Sequence, residues 1–341
     1  MKSTFFLLLF LITISNIFSY TNISSCESNL GNDDLNNISE REFRLNTNIS
    51  SGLNCFSFDS DDLVFDCQGN QINYTGSSTL VTGFGTSLDS NITIKNCIIY
   101  DFGIGIDMTG SGIMALNNSI YNARGNAIRF AGSNNSIVGI YINNSNLTSI
   151  LINSVSNIII KDFNIENSRE YAITGINNVV IENGLIENSQ LSGLRIFNGE
   201  NVTIDNVISR NNQEYGLELR GSARNNTVVN SDFRNNGLGN IYLRTNGADN
   251  PNNNTFYSNI LTSNTSIIAQ FQNLFSLNTW NSSSQGNYWE NYESSSICFG
   301  SPQTCDYLAL PIPESNFNQS FFPVSNSVVL LIIIISYLSF F

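Results

Sequence analysis

The chain has 341 residues and a formal charge of −13, with 41% hydrophobic but only 12% charged side chains. The acidic balance argues against a nucleic-acid partner, which needs a basic face. Histidine is absent, which excludes Ser-His-Asp and Cys-His catalysis, histidine zinc sites and histidine pH switches.

Residues 1–20, MKSTFFLLLFLITISNIFSY, run from one lysine through an apolar stretch to small or polar residues near Ser19. This reads as a secretory signal peptide, with an uncleaved amino-terminal anchor as the alternative. Export implies an oxidising setting. The six cysteines, Cys26, Cys55, Cys67, Cys97, Cys298 and Cys305, are then disulfide candidates. Six cysteines allow fifteen pairings, and only Cys298–Cys305 has a local argument, since both lie in the loop-like SSSICFGSPQTC. Export also opens the 15 Asn-x-Ser/Thr sequons, Asn22 to Asn318, to glycosylation.

From Asp62 to about residue 270 the chain repeats itself every 21–29 residues. Asparagine, 56 residues in all, carries much of the pattern. Two polar columns recur at fixed offsets. One holds Asn96, Asn117, Asn183, Asn206 and Asn259. The other holds Asn122, Asn167, Asn188, Asn211, Asn236 and Asn264. Between the columns apolar residues alternate with period two, as in Val179/Ile181 and Val202/Ile204, which is the signal of a half-buried strand. A third short strand follows the second column, as in Gly193-Leu194-Arg195-Ile196 and Gly216-Leu217-Glu218-Leu219. Three strands and three bends per repeat predict an all-β solenoid, a parallel β-helix of about ten coils over residues 21–292. At each bend an asparagine amide can bond stranded backbone groups and its copy on the next coil. Asparagine also tolerates the left-handed backbone that a corner demands.

The motif N-[VI]-T-[IV]-x-N…N-x-x-x-Y-G-[LI]-x-[LI] resembles the right-handed parallel β-helix repeat of pectate-lyase-like proteins, and is similar to NosD-like surface β-helix proteins. LVFDCQGNQI (63–72) resembles their opening coil, and TWNSSSQGNYWENY (279–292) resembles the segment after their last coil. The resemblance implies a fold and leaves function open, because this fold hosts lyases, hydrolases, epimerases and adhesins. The NosD likeness implies copper handling. The residues argue against it, since histidine is absent and Met1, Met108 and Met114 are the only methionines. No metal or other cofactor is expected.

The outward positions of the third strand form the most varied column: Gly105, Arg129, Leu151, Thr174, Arg195, Glu218, Tyr242 and Ile268, with Arg220 and Arg244 beside it. Arg195, Glu218, Arg220, Tyr242 and Arg244 make the candidate ligand face, suited to a saccharide. Plain Arg195–Glu218 pairing is the structural alternative. Glu218 is the lone carboxylate of its column, whereas glycoside hydrolysis wants two, so no catalytic residue is assigned. Trp280, Tyr288, Trp289 and Tyr292 are expected to cover the open end of the solenoid.

Residues 293–326 read as a Cys298/Cys305 loop and stalk, and 327–341, SVVLLIIIISYLSFF, as a hydrophobic membrane segment. A tail anchor and a processed lipid-anchor signal with Ser315 and Asn316 upstream both fit it. The expected protein is exported, held at the cell surface, and structural or binding in role, recognising glycans or surface proteins. The alternative is a polysaccharide lyase or glycoside hydrolase.

Overall fold

The computed structural model describes residues 20–26, 41–86, 88–262, 267–270, 272–290, 296–299 and 304–311. Residues 1–19 of the leader, the 327–341 segment, Asn264, Tyr292, Ser315 and Asn316 lie outside the described residues.

The chain winds into a solenoid of about eleven turns whose strands pair in parallel from one turn to the next. Each full coil contributes three short strands. Those of the third face form one 11-stranded sheet. Those of the first two faces merge into a 16-stranded sheet, because in the middle coils a single strand crosses the bend between them, as in Ile158–Ser168 and Val179–Glu187.

Inside the coil, alternation stacks like residues on like. Ile94, Ala115, Ile137, Ile160, Ile181 and Ile204 follow one another in register, all 0–1% exposed. Ile128, Ile150, Ile173, Leu194, Leu217 and Ile241 do the same beneath the third face. A β-branched stack suits the parallel ladder, which is buried on its inner face throughout.

The bends are left-handed. Asn96, Asn117, Asn183 and Asn206 have φ of 52–56° between the first and second strands. Asn122, Asn167, Asn188 and Asn211 have φ of 54–59° between the second and third. Other L-residues pay about 1–2 kcal/mol for this conformation, which asparagine visits readily. Where the first column lacks asparagine at Ile140, Gly139 takes the corner with φ 66°.

Two members of the expected columns stand elsewhere. Asn235 (φ 59°) and Ser258 (φ 57°) occupy the corners, and Asn236 and Asn259 follow one residue later, turned inward. Asn259 is fully buried, its Oδ1 accepting from Ser231 N and its Nδ2 donating to Asn287 Oδ1 at 3.0 Å. Asn236 Oδ1 accepts from both nitrogens of Asn212. The reason lies in doublets such as Asn225-Asn226, Asn235-Asn236 and Asn253-Asn254. The first amide sits at the outer corner and the second enters an interior ladder, as in Asn226–Asn254–Asn278. Anchoring those repeats on the second asparagine moves the columns by one.

Disulfides join Cys26–Cys55, Cys67–Cys97 and Cys298–Cys305. The first two tie consecutive coils. The third closes an antiparallel hairpin, Ile297–Phe299 with Thr304–Asp306. Within the 293–326 segment expected as loop and stalk, Asp306 and Leu310–Pro311 pack on the end of the solenoid. Leu310–Pro311 pairs with Tyr288–Trp289, which pairs with Ile260–Leu261. Trp289 and Asp306 are fully buried and bonded to each other (Nε1 to Oδ2, 3.0 Å), and Trp280 stacks on Phe256 at 4.3 Å. The signal for this cap was the buried pair of tryptophans; its partner Asp306 carried none.

Candidate ligand-binding face

The third face displays its alternate residues outward because the intervening ones are committed to the core. From Arg129 onward the outward column runs Arg129, Leu151, Thr174, Arg195, Glu218, Tyr242 and Ile268 in continuous register. Above Arg129 the position belongs to Asp107, which forms an ion pair with Arg129. Gly105 does not stand there. A β-carbon on it would come within 2.9 Å of Ala127 O, so the glycine marks a close approach between coils.

The structure brings all five candidate residues together. Arg195 is in register with Glu218, Glu218 with Tyr242, and Arg220 with Arg244. Glu218, although on the outward side, is only 2% exposed. Arg244 Nη1 lies 3.7 Å from Glu218 Oε1, an ion-pair distance but too long for a hydrogen bond. Arg195 places its guanidinium 4.2 Å from the centroid of Tyr171. Arg220 lies 5.4 Å from Phe197. Tyr242 stacks on Tyr215 with centroids 4.5 Å apart.

Burial pushes the Glu218 carboxyl above its ordinary value; Arg195, Arg244 and Arg220 oppose this, and the nearby Glu214 reinforces it. Burial likewise raises Tyr171 and Tyr215. Glu214 thus supplies a second carboxylate within electrostatic reach, from the bend preceding the strand rather than from the column itself.

Four buried polar atoms on this face have no hydrogen-bond partner: Thr174 Oγ1, Arg195 Nε, Glu218 Oε1 and Arg220 Nε. Three more such atoms, Asn73 Oδ1, Asn164 Oδ1 and Ser189 Oγ, stand elsewhere on the rod, so four of the seven among the described residues gather on this face. Sequence reasoning missed Tyr171, Phe197, Glu214 and Tyr215. The signal for two of them was the tyrosine that opens the third strand, in Tyr171-Ala172 and Tyr215-Gly216.

The family described as "Right handed beta helix region" matches residues 102–261. The chain is a right-handed parallel β-helix protein. No curated protein matches it. Among solved structures the β-helix is similar to the Dettilon tailspike protein gp208, with TM-score 0.54 and 14% identity over 76% of this chain and 62% of that one. The catalytic domain of a GH87 alpha-1,3-glucanase in complex with nigerose gives TM-score 0.47 and 14% identity over 80% and 63%. The A-module of the Azotobacter vinelandii mannuronan C-5 epimerase AlgE6 gives 0.33 and 13% over 86% and 89%. The β-helix spans about three fifths of the tailspike and glucanase chains, and at these identities the likeness is one of fold.

Proposed function

We propose that this is an exported β-helix whose third face binds glycans outside the cell. The observation that carries the reading is the concentration of unsatisfied buried polar atoms at Thr174, Arg195, Glu218 and Arg220. Buried donors and acceptors are nearly always paired, and an unpaired one costs about 1–3 kcal/mol. Four on one face, beside the Tyr215–Tyr242 stack, suit a ligand rich in hydroxyls that offers aliphatic C–H faces to the rings. The three disulfides are consistent with an oxidising, extracellular setting. The apolar 327–341 segment supports tethering at the surface.

The test is a glycan array probed with the wild type, Arg195→Ala and Tyr242→Ala. Retention that both substitutions weaken is expected; retention indifferent to both would remove this face from consideration.

Catalysis is the second reading, favoured by one observation. Burial raises the Glu218 carboxyl, as a general acid requires, with Glu214 nearby. Released reducing or unsaturated ends, abolished in Glu218→Gln, would establish it. Retention without release supports the binding role.

A further inference from the structure

The cations of this chain are distributed unevenly. Fourteen lysines and arginines occur, and all but Lys2 lie in described residues. Nine of those thirteen sit within ion-pair distance of a carboxylate. Among the described residues, the four that do not are Arg124, Arg169, Arg195 and Arg220. In a protein with a large excess of acid, chance would scatter such exceptions. Here they fall on one oblique band: Arg124 and Arg169 lie four positions before the in-register Ile128 and Ile173, Arg195 one after Leu194 and Arg220 three after Leu217.

Arg124 and Arg169 line a groove of about 460 Å³ at the corner leading into the third face, together with Asp101, Asn122, Asn144 and Asn146. Arg124 donates from Nη1 to Gly76 O at 2.7 Å and rests 5.1 Å from the Tyr74 ring centroid. Asn146 on the next coil donates to Arg124 O at 3.2 Å, and its Oδ1 accepts from Arg169 on the coil after that. Two residues past Arg169, the Tyr171 ring carries Arg195. Phe197, two past Arg195, lies beside Arg220. Stacked polar and aromatic supports therefore link the four guanidiniums across consecutive coils. Four coil steps of roughly 4.8 Å place Arg124 and Arg220 about 19 Å apart along the axis.

A guanidinium offers five donors in a flat fork that matches a carboxylate or sulfate. Each support fixes the orientation of its arginine without itself carrying charge, and the nearby acids, Glu218 beside Arg195 and Arg220 and Asp101 in the Arg124 groove, stand beyond ion-pair distance. Four such groups at solenoid spacing suit a ligand that repeats its own charge, rather than one small anion. We propose that this band binds an anionic linear glycan laid along the rod from the Arg124 groove to Arg220, its carboxylates or sulfates received by Arg124, Arg169, Arg195 and Arg220. The inference rests on the glycan-binding reading of the third face and extends it into the groove. A nucleic acid would offer similar charge, and the net charge of −13 opposes either polyanion away from the band, so the two are separated by the test.

The test is calorimetric titration of the full chain with uronate oligosaccharides of increasing length. Their methyl esters, sulfated oligomers and a single-stranded oligonucleotide of matched charge serve as comparisons. Uronates or sulfated oligomers should bind, and the preference between them names the anion. Affinity should rise with length until the oligomer spans Arg124 to Arg220, and should fall with added salt. Arg169→Gln, at an exposed position, should weaken long oligomers about tenfold, the loss of one charged hydrogen-bonding group, and leave short ones unchanged. Arg124→Gln should act similarly, but Arg124 also braces Tyr74, so Arg169 is the cleaner variant. Arg210→Gln, whose arginine pairs with Glu187 on another face, should change nothing. Methyl esters binding as tightly as free uronates would overturn the anionic assignment and leave glycan binding standing. Absence of binding by every oligosaccharide would overturn both. An oligonucleotide binding equally well, with the same dependence on Arg169, would replace the glycan with a general polyanion.

Discussion

Arg195 and Glu218 stand opposite each other on adjacent coils and do not pair. The guanidinium lies over Tyr171 instead, 4.2 Å from the ring centroid, and the carboxylate takes Arg244 at 3.7 Å as its nearest cation. The salt bridge that strand register invites is replaced by a cation–π contact, and both residues keep a buried polar atom without a partner. A double-mutant cycle in chemical denaturation should give Arg195–Tyr171 coupling of about 0.5–1 kcal/mol. Coupling of Arg195 to Glu218 should be smaller, and the reverse order would show that the pair forms in solution.

Glu218 should impose a recognisable pH dependence. Burial raises its folded value above the ordinary 4.5. Through the window between those two values the folded chain holds more protons than the unfolded one, so stability falls as pH rises. Glu218→Gln removes this slope. Thermal unfolding from mildly acidic to neutral pH should show the wild type losing stability relative to Glu218→Gln, and parallel curves would contradict the burial of this carboxylate.

The two kinds of asparagine should differ in cost. Asn254 links Asn226 to Asn278 inside the coil and is fully buried. Asn254→Ala strands the Asn226 backbone N–H and should cost about 2–3 kcal/mol. Asn201 is an exposed corner with φ 58°. Asn201→Gly keeps the left-handed backbone and should cost well under 1 kcal/mol, about the value of its single amide contact to Asn178. Urea midpoints would separate them.

Cys67–Cys97 closes a segment 30 residues long between consecutive coils. The double alanine variant should lose about 3 kcal/mol, read by denaturation under non-reducing conditions. An unchanged midpoint would mean that the neighbouring coils already restrain that segment.

The cap should guard the last coil. Trp289 is fully buried and donates to Asp306. Trp289→Ala should cost about 3–5 kcal/mol locally and expose unpaired strand edges. Size-exclusion chromatography should then show concentration-dependent association absent from the wild type.

Sequence alone determined the coil. The period of 21–29 residues, the alternation around Val179/Ile181 and the recurring asparagines all report a local rule, because every coil solves the same bend and the same burial. The composition of the candidate face was legible for the same reason, since parallel register from Arg129 to Ile268 follows once the repeats are aligned. What the third dimension decided is everything that depends on one side chain choosing between neighbours. Whether Asn235 or Asn236 turns the corner is a matter of which amide finds backbone partners inside the coil. That Arg195 leaves Glu218 for Tyr171 depends on a ring delivered from the preceding bend, which no alignment of strands encodes. The unpaired arginine band depends on both, since an arginine is known to lack a carboxylate only when every neighbouring coil is in place.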